Sequence, residues 1–167
     1  MNAPSVFLIG FMGTGKSAAG ERLAVKLDRA FADLDAEIAR TAGMSIPEIF
    51  QAEGEDGFRV RESLALHQAV RTGGQVVSCG GGVVLREENR DLLHRQPHVF
   101  CLRAKPETLL ARMAGDTSRP LLQTDDPAAR LATLLTAREP LYSEFARQVH
   151  TDDLTPDEVA DRILDLL

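Results

Sequence analysis

Little in the sequence suits it to a membrane, an oxidising compartment or a nucleic acid. No apolar run within its 167 residues is long enough to span a bilayer. The first residues, Met1-Asn2-Ala3-Pro4-Ser5, carry no positive segment and lead straight into a strand-like run, so no signal peptide and a cytoplasmic location are expected. The two cysteines, Cys79 and Cys101, sit in apolar runs without metal-ligand spacing. They are expected to be buried thiols rather than a disulfide. The 19 basic residues are outnumbered by 25 acidic ones, for a formal charge of -6, and aromatics make up only 5%. No global basic field and no basic, aromatic stripe exists for nucleic acid, so any anionic substrate needs individually placed arginines. His67, His94, His98 and His150 show no ligand spacing and read as structural or solvated. There is no internal repeat, low-complexity tract or interdomain linker. One domain over 1–167 and a monomer are expected.

What is present is concentrated at the start. Gly10-Phe11-Met12-Gly13-Thr14-Gly15-Lys16-Ser17 follows the apolar run Val6–Ile9 and precedes a segment in which Ala19, Leu23 and Leu27 recur at helical spacing. Strand, glycine-rich turn and helix is the context in which Gly-x-x-x-x-Gly-Lys-Ser binds phosphate. Gly10, Gly13 and Gly15 let backbone N–H groups converge on an anion. The helix behind them begins with unpaired N–H groups and the positive end of its dipole. Lys16 can reach the terminal phosphates of a nucleoside triphosphate, and the Ser17 hydroxyl can hold Mg²⁺. The alternative is a tight strand-to-helix turn with an exposed lysine.

Along the rest of the chain, strands alternate with helices. Strands are expected at 5–9, 31–35, 75–79, 98–102 and, weakly, 148–151. Helices are expected from Lys16, at 36–42 before Gly43, from the capping signature Ser45-Ile46-Pro47-Glu48 to about Glu53, and from Phe58 to Val70 after a break near Gly54 and Gly57. More follow at 86–95, from Pro106 to about Met113, and at 128–138, where Glu139-Pro140 interrupts the pattern. A second capping signature, Thr155-Pro156-Asp157-Glu158, opens a last helix expected to bury Val159, Ile163, Leu166 and Leu167. Residues 115–127, around Ser118-Arg119-Pro120-Leu121-Leu122, read as a mobile loop within a lid at about 113–127. The alternation implies an α/β fold, a parallel sheet with helices on both faces. Ligands in such sheets bind beyond the carboxyl ends of the strands, which gathers 10–17, 33–35 and 80–82 at one rim.

These segments supply candidates for a second substrate. Strand alternation would point Asp33 and Asp35 to one side, one carboxylate for Mg²⁺ through water and one for a substrate hydroxyl; a merely polar strand end is the alternative. Arg59 and Glu62 share a helix face, either as an arginine pre-organised for a carboxylate or as a solvated ion pair. Gly80-Gly81-Gly82 implies close approach of a ligand to the backbone or a turn with positive φ. Arg119 is either a lid arginine that offsets phosphoryl charge or an ordinary exposed one. Arg138 is a second anion contact or a partner of a helix C-terminus.

Taken together, six motifs resemble shikimate kinases over nearly the whole chain. They are the loop at 10–17, Asp-x-Asp at 33–35, Phe-Arg-x-x-Glu at 58–62, the glycines at 80–82, Arg-Pro-Leu-Leu at 119–122 and Arg-x-x-x-Tyr at 138–142. The first is shared by many nucleotide enzymes; the other five together are specific. The resemblance implies a P-loop kinase fold with a five-stranded parallel sheet of order 2-3-1-4-5. It implies transfer of the γ-phosphoryl group of ATP to the 3-hydroxyl of shikimate, a step of chorismate and aromatic amino acid biosynthesis, with Mg²⁺. By position it assigns ATP to Gly13, Thr14, Gly15, Lys16, Ser17, Ala18, Arg112, Arg119 and Pro156, with Arg112 and Pro156 flanking the adenine. It assigns shikimate to Asp35, Arg59, Gly80, Gly81, Gly82 and Arg138, within an acceptor region at about 33–62. Metal falls to Ser17 and Asp33, and catalysis to Lys16, Asp35 and Arg119. The family commonly carries an acid where Ala39 stands. The rivals are another small-molecule P-loop kinase, such as a gluconate or nucleoside monophosphate kinase, and a related binding protein without turnover. The latter would be expected to lose Lys16, Asp35 or an arginine, and all are present.

Overall fold

The computed structural model describes residues 3–116 and 119–167; the expectations placed on Met1, Asn2 and Ser118 lie outside them. Its centre is β1 (Val6–Gly10), buried at every position. A strand covered on both faces must be apolar throughout rather than alternating. Its side chains divide between two cores. Phe7 and Ile9 enter one, with Leu66, Leu93, Leu131 and Tyr142. Val6 and Leu8 enter the other, with Leu23, Val159 and Ile163.

The remaining strands are β2 (Phe31–Asp33), β3 (Val76–Ser78), β4 (Val99–Arg103) and β5 (Gln148–His150). All pair in parallel, in the order β2-β3-β1-β4-β5. Phe7 stands opposite both Val77 and Val99, which fixes the central register. Helices α1 (Lys16–Leu27) and α7 (Pro156–Asp165) pack together on one face. On the other lie α3 (Ile46–Thr72), α4 (Glu87–His94), α5 (Pro106–Met113) and α6 (Pro127–Tyr142). Between β2 and α3, α2 (Leu34–Ala42) builds a third small core from Ile38, Ile49 and Phe58. Short 3₁₀ turns occupy Val83–Leu85 and Pro120–Leu122.

Both capping signatures form reciprocal boxes: Ser45 with Glu48, and Thr155 with Glu158. Four local expectations are corrected. The second strand stops at Asp33, whose Oδ1 accepts from Ala36 N at 3.1 Å and so starts α2. Asp35 is therefore helical, and strand alternation is not what aligns it with Asp33. Only Gly54 breaks α3, with φ 71° and ψ -179°; Gly57 stays helical. A methyl group at position 57 would stand 2.5 Å from Glu53 Cβ, so that glycine makes room for the folded-over turn. Across the kink, Glu53 accepts from Arg61 Nη2 at 2.7 Å. Pro140 does not interrupt α6, which runs on to Tyr142. One lost N–H close to the helix end is outweighed by the burial of the Tyr142 ring beyond it. Lastly, Leu166 and Leu167 are exposed; α7 ends at Asp165, and Val159, Ala160 and Ile163 form its buried side.

Candidate active site

A cavity of about 430 Å³ opens at the carboxyl edge of β1, β2 and β3. One end is the loop Gly10–Lys16. Gly13 and Gly15 have φ of 81° and 94°, which L side chains rarely adopt. Any side chain on Gly10, at φ 141°, would strike the Leu102 carbonyl of β4. Lys16, only 8% exposed, donates to the carbonyls of Gly10 at 2.8 Å and Phe11 at 3.0 Å. Burial first, and the Arg119 charge second, lower its pKa to about 8 against the opposing Asp35. Ser17 and Ala18 line the cavity at the start of α1. Thr14 points inward instead, its hydroxyl donating to Phe11 O at 2.8 Å.

Ser17 Oγ donates a short hydrogen bond to Asp33 Oδ2 and lies 3.1 Å from Ser78 Oγ. Asp33 can do this because its other oxygen caps α2, which fixes its rotamer. Among the described residues no group of three or more His, Cys, Asp or Glu side chains could hold a metal. Ser17 and Asp33 nonetheless bring two hard oxygens together at the phosphate end. That donor set fits Mg²⁺, which binds through few protein ligands and keeps its waters and phosphate oxygens.

The other end gathers carboxylates and arginines. Asp35 enters the cavity from the first turn of α2. Its side chain keeps 31% exposure, yet Oδ1 is sealed from solvent without a partner. Burial and then the Asp33 charge push its pKa up, against Lys16, Arg119 and Arg59. Arg59 is buried on α3, with Nη1 2.9 Å from Glu62 Oε1 and Nη2 3.1 Å from Glu55 Oε1. Glu62 is 1% exposed, and burial raises its pKa to about 7 despite Arg59, with Asp35 adding to the rise. The pair is therefore not the solvated surface bridge its sequence spacing allowed.

Gly80–Gly82 explains how these groups fit. None has a positive φ, so a strained turn is not the reason for the triplet. A methyl group at 80 would stand 2.5 Å from Glu62 Oε2 and 2.7 Å from Asp35 Oδ1; one at 82 would overlap the Arg59 guanidinium. The backbone must be bare because charged side chains lie against it. Arg138 is 2% exposed, beside Gly81 and 5.6 Å from the Phe11 ring centre. The Tyr142 hydroxyl donates to Gly81 O and anchors the same strand end.

Arg119 stands at the cavity mouth, Nη1 4.0 Å from Asp35 Oδ2 and Nε 3.4 Å from Asp116 Oδ2. Arg112 lines the cavity near the loop and donates to Gly13 O at 3.2 Å. Pro156 is the first residue of α7 and is not part of the lining. Sequence reasoning missed the apolar wall of Ile46, Phe50 and Phe58. Phe50 and Phe58, on opposite sides of the Gly54 kink, pack with ring centres 4.8 Å apart and planes tilted at 37°. It also missed Thr151 and Asp152, which no motif marks.

With the geometry in place, comparison with known proteins identifies its relatives. The family model described as shikimate kinase matches residues 12–167. A shikimate kinase of Marinomonas sp. (strain MWYL1) is 45% identical, covering 100% of this chain and 93% of its own. One from Neisseria meningitidis serogroup C is 50% identical over 84% of this chain and 83% of its own. The solved shikimate kinase from Acinetobacter baumannii in complex with shikimate superposes with a TM-score of 0.95 at 39% identity, covering 98% of this chain and 92% of that one. A gluconokinase from Sinorhizobium meliloti 1021 has a TM-score of 0.61 at 18% identity over 99% of this chain and 92% of its own, a likeness of fold alone. By sequence along nearly its whole length and by fold, the chain belongs to the shikimate kinase family of ATP-dependent P-loop kinases.

Proposed function

We propose that the cavity is a two-substrate site in which the γ-phosphoryl group of ATP passes to the 3-hydroxyl of shikimate. The observation that carries this is the pairing, in one cavity, of a phosphate loop with an acceptor end built from Asp35, Arg59 and Arg138. A small acid with ring hydroxyls matches that end. Two arginines meet the carboxylate, and Asp35 meets the hydroxyl.

In this reading the triphosphate lies on the N–H groups of Gly13–Ser17, with the Lys16 ammonium turning from the loop carbonyls to the β- and γ-phosphates. Ser17 and Asp33 would hold Mg²⁺, which when bound neutralises charge on the phosphate oxygens. Arg119 closes from the mouth and offsets charge on the transferring group. Arg112 lies where the nucleoside end emerges, and Pro156 borders it from α7. Glu62 and Glu55 hold the Arg59 fork, and the bare backbone of Gly80–Gly82 lets acceptor and charged groups lie close. Ile46, Phe50 and Phe58 exclude water from one side of the ring. As the hydroxyl oxygen bonds to phosphorus and the bond to ADP breaks, the hydroxyl proton passes to Asp35. Burial raises the basicity of Asp35, which suits that role. A loose transition state makes orientation of the hydroxyl its first task.

Asp35→Asn keeps the shape and removes the proton acceptor. Its kcat is expected to fall on the order of 10²-fold or more, with ATP affinity retained. Steady-state kinetics in which kcat and KM both stay near wild type would contradict the assignment.

A further inference from the structure

The loop carbonyls matter as much as its N–H groups. A trans peptide places C=O and N–H on opposite sides, so whatever holds the Thr14 carbonyl behind the loop also aims the Gly15 N–H forward. Gly15, at φ 94°, leaves that peptide free to turn. The group that holds it comes from the far side of the sheet. Thr151 follows β5 and is 1% exposed, and its Oγ1 donates to Thr14 O at 2.9 Å. The same oxygen accepts from Arg112 Nη1 at 3.0 Å, and the Thr151 carbonyl accepts from Arg112 Nη2 at 2.8 Å. Arg103 O, at 3.2 Å, is a longer alternative for the single hydroxyl proton.

The next residue fixes the other end of α5. Lys105, the N-cap of that helix, makes no side-chain cap. Asp152 Oδ1 supplies one from outside, accepting from Lys105 N at 2.9 Å and Thr108 Oγ1 at 2.6 Å. Residues 151–152 thus clasp α5 at its first turn and, through Arg112, at its last. Beyond that last turn the chain continues to Arg119.

We propose that Thr151 is a positioning residue for the nucleotide: its hydroxyl locks the Thr14–Gly15 peptide in the phosphate-binding orientation and ties it to α5. The inference rests on the reading of Gly10–Ser17 as the ATP loop. Thr151 itself does not line the cavity, and the groups it holds, the Thr14 carbonyl and Arg112, lie at the cavity's phosphate end, so the clasp acts on the nucleotide.

Thr151→Val removes the hydroxyl at nearly constant volume, and Thr151→Ser restores it. Titration calorimetry with MgATP and, separately, with shikimate reads both halves of the site. For the valine variant the ATP affinity is expected to fall about tenfold, with shikimate affinity unchanged, and the serine variant is expected to bind ATP within about twofold of wild type. Thr151→Ala gives the same readout if valine does not fold. Unchanged ATP affinity in the valine or alanine variant overturns the inference, as does equal weakening of both ligands, or a serine variant as weak as the valine one. Failure of the wild-type protein to bind ATP would instead overturn the reading of the loop itself.

Discussion

Gly82 shows how one absent atom sets the acceptor end of the site. A side chain there would overlap the Arg59 guanidinium, which Glu62 and Glu55 hold in place. The guanidinium is the far end of a flexible side chain, so Gly82→Ala should keep the fold and push Arg59 off its carboxylates. Loss of one charge-assisted contact is worth about 1.5–3 kcal/mol, or roughly a 10- to 100-fold weaker complex. Calorimetry should therefore find shikimate affinity reduced by that factor and ATP affinity unchanged. Equal loss of both would mean general distortion. Three successive glycines read from the sequence as a place where a ligand approaches the backbone, and not as one where the protein's own Glu62, Asp35 and Arg59 do so. Residues 59 and 82 meet only through tertiary folding. The burial of Arg59, Glu62 and Arg138 was hidden for the same reason, since a charged pair at helical spacing looks alike on a surface and in a core.

At the scale of elements, local chemistry was legible where it closes on itself. The capping boxes at Ser45 and Thr155 need only four consecutive residues, and both form. Two boundaries were misread. Asp35 resembles part of the strand until Asp33 is seen to cap a helix through Ala36 N, and Pro140 resembles a helix stop until the buried Tyr142 is seen beyond it. The kink in α3 is the element with most consequence for the site. It turns Ile46 and Phe50 on one segment towards the cavity that Phe58 and Arg59 enter from the other. Gly54 achieves this with a φ of 71° and ψ near 180°, a region open almost only to glycine. Gly54→Ala has open space around it but incurs that backbone strain, about 1–3 kcal/mol. Its Tm should fall by several degrees and its KM for shikimate should rise, with KM for ATP little changed. A melting curve and acceptor kinetics identical to wild type would show that the kink does not shape the site.

Across the whole molecule, the order β2-β3-β1-β4-β5 explains why distant motifs converge. β1 lies between β3 and β4, so the loop after β1 stands beside the glycines after β3 and the helix after β4. β2 on the outside of β3 brings Asp33 and Asp35 to the same rim. Alternating strands and helices made that rim readable in outline, since parallel sheets bind ligands at their carboxyl edge. The Thr151–Arg112 clasp was not readable, because β5 is three residues long and its partners lie on α5 and in the loop. The central claim is that donor and acceptor ends form one catalytic site. It is tested most directly by measuring ADP release from folded protein with Mg²⁺ and ATP, with and without shikimate, and identifying the product. The account predicts ADP release that depends on shikimate and matches shikimate 3-phosphate mole for mole. ADP release unaffected by shikimate, or none at all, would contradict it.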